Sequence, residues 1–113
     1  MGTIDDYLAG LDDDDRAVID HIYSTARATV SDTDQGTGYG MPALVYRGKP
    51  LLSVMRAKKH IGIYPFSADA VSAAAPAFDG FDIDKGTIRF QPSNPPSDDA
   101  IRTLVTARHD QID

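Results

Sequence analysis

Apolar residues at the start of the chain recur with a helical period. Ile4, Tyr7, Leu8 and Leu11 stand at i, i+3, i+4 and i+7, so one face of a short first helix is apolar. Thr3 followed by Asp6 gives that helix a capping-box-like start, and Gly10 marks its end. Asp12 stands as the N-cap of a second helix over about residues 13–30, with Ile19, Ile22, Tyr23, Ala26 and Val30 on its apolar stripe. Ser31 through Gly40 is rich in turn formers and reads as a loop closed by Pro42. The period then changes to two. Ala43–Tyr46, Leu51–Met55 and His60–Tyr64 predict a three-stranded antiparallel meander, with Pro50 at a strand start or on an edge because it cannot donate to a ladder. Ser67 caps a short alanine-rich helix that Pro76 ends. Phe81–Ile83 and Thr87–Gln91 flank the turn Asp84-Lys85-Gly86, and Ser97 caps a closing helix whose face is Ile101, Leu104, Val105 and Arg108. The expected fold is α+β: one domain over residues 1–113, in the order helices, strands, small helix, strands, helix, with about five strands.

Composition supports this picture and narrows the chemistry. The 113 residues are 42% hydrophobic and 25% charged, a globular mixture with material for a core. The absence of Cys excludes disulfides, thiolate metal sites and cysteine nucleophiles. All 17 acidic residues are Asp. The N-terminus lacks the basic region and apolar core of a secretion signal, and no apolar run reaches the ~18–20 residues of a membrane span, so the expected location is the cytoplasm, with no membrane partner. The net charge of −6 is unevenly spread: residues 1–40 carry −7, residues 41–64 carry +5 from Arg47, Lys49, Arg56, Lys58 and Lys59, and residues 65–113 carry −4. The acidic flanks repel phosphates, so nucleic acid is not the expected partner of this basic island.

Three motifs carry a further expectation: Tyr39-Gly40-Met41-Pro42-Ala43, Lys58-Lys59-His60-Ile61-Gly62-Ile63-Tyr64-Pro65 and Lys85-Gly86-Thr87-Ile88-Arg89-Phe90. In order and spacing, together with the Thr3–Tyr7 start and the helix bearing Arg108, they resemble the YdhG-like family of small bacterial domains, largely of unknown function. The resemblance covers almost the whole chain and implies a single α+β domain, with an antiparallel β-sheet of about five strands packed against N- and C-terminal helices. One branch of the family is frataxin-like in outline and described as an iron chaperone for iron–sulfur cluster and haem assembly. That branch implies assembly proteins of those pathways as partners, no tightly bound cofactor, and Fe²⁺ held only weakly. No iron-ligand residue carries over by motif. The chain departs from the usual family pattern at Asp12, where Pro is common, and in having no Glu.

Two constellations are candidates for binding. Asp12, Asp13, Asp14, Asp15 and Asp20 can form a carboxylate ridge for a hard divalent ion, although negative charge at a helix start also serves the helix dipole, and Arg16 stands between Asp13 and Asp20. His60 shares a strand face with Gly62 and Tyr64. A glycine between two rings predicts an open groove, which with Tyr39, Lys59 and Arg89 suits an anionic ligand or an acidic protein; charged gatekeepers on an edge strand account for the same residues without a ligand. Catalytic constellations are absent. His21, His60 and His109 lack the spacing of a zinc hydrolase, Gly36–Gly40 follows a helix and lacks a phosphate-loop tail, Asp82–Gly86 departs from a calcium loop, and no serine sits in a nucleophile elbow. The sequence therefore leaves two non-enzymatic readings: an iron-handling domain using the aspartate ridge, and an anion- or partner-binding module using a basic strand face without a metal role.

Overall fold

Both N-terminal helices form where the apolar period places them. The computed structural model describes residues 2–113 and gives α1 as Thr3–Ala9 and α2 as Asp13–Thr29. Ile4 and Leu8 of α1 are buried, as are Ile19, Ile22, Tyr23 and Ala26 of α2 and Val30 just beyond it. Their starts differ from expectation. Gly2, not Thr3, is the N-cap of α1; Thr3 is already helical, and its hydroxyl donates to the Gly36 carbonyl. Asp12 occupies the N-cap of α2, but its side chain makes no capping hydrogen bond.

Six strands follow rather than about five: β1 Thr33–Gly38, β2 Met41–Tyr46, β3 Lys49–Arg56, β4 Ile61–Tyr64, β5 Asp82–Asp84 and β6 Thr87–Phe90. All neighbours are antiparallel, in the order β1-β2-β3-β4-β6-β5. The additional strand is β1, which replaces the loop expected over 31–40. It lacks apolar alternation because it lies at the sheet edge and pairs through its backbone, Gly36 standing opposite Ala43. Its turn to β2 has Tyr39 at φ 50° and Gly40 at φ 78°. The β2–β3 turn repeats this with Arg47 at 52° and Gly48 at 78°, so both hairpins turn through paired left-handed residues that match strand twist. Gly38 meets a close approach: a methyl there would lie 2.7 Å from the Phe66 ring and 2.8 Å from Pro50 Cβ. Pro50 sits near the start of β3, as predicted, just past a register shift at Leu44/Val45.

Ser67 caps α3 (Ala68–Ala74), its hydroxyl accepting from the Ala70 amide, and a 3₁₀ turn carrying Pro76 follows at Ala75–Phe78. Ser97 does the same for α4 (Asp98–Ile112), accepting from Ala100 at 3.1 Å. Helices α1, α2 and α4 pack against the first three strands, and α3 joins α4 to β6. The core between helices and sheet includes Ile4, Ile19, Tyr23, Leu52, Val54, Ile63 and Leu104. No helix is long and apolar enough to cross a membrane among the described residues.

Two polar contacts tie α2 to the sheet. The Tyr23 hydroxyl accepts from the Val54 amide at 2.8 Å and lies 3.4 Å from the Pro42 carbonyl, beside Ser53, which donates to that carbonyl at 2.6 Å. Burial pushes the Tyr23 phenol up to about 12. Asp15 accepts from Arg56 Nε at 3.1 Å, and the Arg56 amide donates to Tyr7 Oη at 2.7 Å.

Candidate anion-binding cavity

The aspartate ridge does not assemble into a ligand set. Arg16 holds Asp13 at 2.8 Å, Arg56 holds Asp15 at 3.1 Å, and Arg27 stands 3.7 Å from Asp20, while Asp12 and Asp14 face solvent. Among the described residues no three His, Asp or other ligand side chains are grouped to hold a metal ion. The cause is helical geometry: consecutive aspartates fan around α2, and each of the three bonded ones meets a different arginine.

The basic island is likewise not a strand face. Arg47 lies in the β2–β3 turn, where it pairs with Asp113 at 2.7 Å, and Lys49 opens β3. Arg56 ends that strand, pointing to Asp15, and Lys58 and Lys59 stand in the loop before β4. The five charges thus divide between the two ends of β3.

Of the five residues assigned to the groove, three converge. Lys59, His60 and Arg89 line a cavity of about 380 Å³ with Phe81, Asp82, Gln91 and Asn94. Tyr64 is not in it. The strand alternation does place Tyr64 on the face of Gly62, but its ring folds across the glycine, and a methyl at Gly62 would lie 2.7 Å from Tyr64 Oη. The open space expected at Gly62 is filled by that ring. Tyr39 is also elsewhere, 87% exposed at the β1–β2 turn and 5.5 Å from the Phe66 ring.

Three chain segments build the cavity. The loop ahead of β4 brings Lys59 and His60, β6 brings Arg89 and leads into Gln91, and the segment entering β5 brings Phe81 and Asp82. β4 and β6 are neighbours, with Gly62 opposite Arg89, so sheet pairing sets the first two segments side by side. Gln91 Nε2 then donates to the Lys59 carbonyl at 2.8 Å and locks them together. A turn closed by the Asn94 amide on the Gln91 carbonyl, also 2.8 Å, returns Asn94 to the rim. Phe81 packs edge-on to Phe78 at 6.1 Å, and its amide donates to the Phe78 carbonyl.

Charge in the cavity is mixed: Lys59 and Arg89 stand against Asp82, and Asp84 also meets Arg89. Arg89 reaches Asp84 at 3.3 Å and Asp82 at 3.5 Å, the long end of ion-pair geometry. The Asp84 contact raises the Arg89 guanidinium above its ordinary value, while the Lys85 amide and then Arg89 hold Asp84 below the usual carboxylate range. Lys59 has no carboxylate in ion-pair reach among the described residues. Gln91, Asn94, Phe81 and Asp82 were not among the groove residues read from the sequence; Gln91 follows the Lys85–Phe90 motif directly, and that adjacency is the one signal that could have found it.

The architecture is that of a six-stranded antiparallel α+β domain. It is similar to the crystal structure of a protein from the DUF1801 family, YdhG, from Bacillus subtilis, with a TM-score of 0.83 over 98% of this chain and 92% of that one at 16% identity. The YdhG-like resemblance of the three motifs is thus matched in the fold itself. No protein-family profile and no curated protein sequence matches the chain.

Proposed function

We propose that the protein is a non-enzymatic binding domain for a small anion bearing a phosphate or carboxylate group, taken at the Lys59–His60–Arg89 cavity. The observation that carries this reading is the convergence on one hollow of a lysine with no carboxylate in ion-pair reach among the described residues, an arginine held by two aspartates at 3.3 and 3.5 Å, and a histidine, with side-chain amides at the rim. An incoming anion can replace the long Asp82 contact of Arg89 with a shorter charge-assisted bond. Iron handling finds less support, since arginines engage three of the five ridge carboxylates.

The test is an amide NMR titration with inorganic phosphate and, separately, citrate. Shifts should concentrate at residues 59–62, 80–82 and 89–94, and Lys59→Ala should weaken binding by about tenfold, equivalent to about 1.4 kcal/mol. No saturable shift by about 10 mM of either anion would sink the reading, because that bound corresponds to less than about 3 kcal/mol of affinity. Anaerobic Fe²⁺ broadening confined to residues 12–21, with no anion response, would return the iron reading.

A further inference from the structure

A second surface contributes nothing to the anion cavity. The first half of α2 faces the proline-rich segment ahead of α4 across an apolar trough made of two adjoining depressions, about 380 and 430 Å³, that share Ala17 and Val18. Ile22, Pro95 and Pro96 complete the floor of one, and Pro92 walls the other. The prolines fix their own backbone and have no amide hydrogen, so this wall stays stiff and cannot close the trough by pairing with α2. His21 Nε2 and Asp98 Oδ1, 2.7 Å apart, link α2 to α4 at one end and set the separation of the walls.

The rim is acidic. Asp98, whose Oδ1 meets His21 while its side chain stays partly exposed, lines one depression and Asp14 the other, and neither contains Lys or Arg. From Asp14 to Ile22 the trough follows about two turns of α2, roughly 12 Å, which sets its depressions about one turn apart. That is the spacing of side chains at i and i+4 on a helix.

We propose that this trough docks a basic amphipathic helix of a partner protein, with two apolar side chains in the depressions and lysine or arginine against Asp14 and Asp98. Apolar floor and acidic rim together select a helix of that composition. A second copy of this chain does not supply one: its four lysines all lie outside the helices, its helical arginines are engaged by Asp13, Asp20, Asp99 and the Pro50 carbonyl, and the apolar faces of α2 and α4 are buried in its own core.

A synthetic helical peptide of about 15 residues, with leucines at i and i+4 and lysines elsewhere, tests this by amide NMR on the full chain. Shifts should fall on residues 14–22 and 92–98, and binding should weaken by about tenfold when ionic strength rises from ~0.01 to ~0.15 M. Ala17→Arg, at an exposed position, should leave the circular dichroism unchanged and weaken binding at least tenfold. The proposal is overturned by an absence of shifts, by shifts elsewhere, or by equal binding of the same peptide with glutamates for lysines. Sedimentation showing self-association that Ala17→Arg abolishes would assign the trough to a second copy and overturn it as well.

Discussion

Tyr23 illustrates how much one hydroxyl can hold at the scale of a single residue. It satisfies the Val54 amide inside the core and lies beside the Pro42 carbonyl, so α2, β2 and β3 meet on one oxygen. Tyr23→Phe leaves that amide without a partner and should cost about 1–3 kcal/mol in urea unfolding. The same variant tests a pH dependence. The folded phenol titrates at about 12 against an ordinary 10.0, so its contribution is complete below pH 10 and is lost as pH rises toward 12, where the unfolded chain ionises first. The loss amounts to about 2–3 kcal/mol, and stability curves of the phenylalanine variant should lack that alkaline decline. Helical period alone placed Tyr23 in the core. Its partners were illegible because they come from strands 19 and 31 residues away. Asp15 was more legible than the ridge reading allowed: it precedes Ile19 by four and Ile22 by seven, so it shares the apolar face and meets Arg56 at the sheet.

Among the elements, the capped helices were the most legible and β1 the least. Ser67 and Ser97 each stand three residues before the amide they cap, a local relation that sequence displays directly. β1 is held by backbone pairing, by the Gln35–Asp5 side-chain contact at 3.0 Å and by a turn with Tyr in a left-handed position, and none of these leaves a two-residue period. The β5–β6 hairpin was read from its turn, and its charges give it a distinct acid response. Asp84 titrates below its ordinary 3.8 because the Lys85 amide and Arg89 stabilise the carboxylate. Its contribution is full above pH 3.8 and is lost as pH falls through the lower folded value. Amide exchange at residues 82–89 should accelerate in that window ahead of β2 and β3, and Asp84→Asn should remove the pH dependence.

For the whole molecule, order and type of the elements other than β1 were legible because each has its own period, while the grouping of charge was not. A run such as Asp12–Asp15 is continuous in sequence but fans out on a helix, and the basic residues of 41–64 separate to opposite ends of β3. The anion cavity was half legible for the converse reason, since Lys59, His60 and Arg89 meet only through the pairing of β4 with β6. The sheet order has one more consequence. β5 is a terminal strand whose three residues, Asp82, Ile83 and Asp84, are all exposed, and among the described residues its outer side carries no neighbouring strand. Such a strand is a template for intermolecular pairing, and here an aspartate on each side of Ile83, both in contact with Arg89, puts charge on that edge that pairing would bury. Replacing both with threonine should leave a β-prone, uncharged Thr-Ile-Thr edge and raise light scattering and thioflavin binding on incubation, with the parent chain remaining clear. Because that protection depends on charge, aggregation should set in first at low pH and high salt.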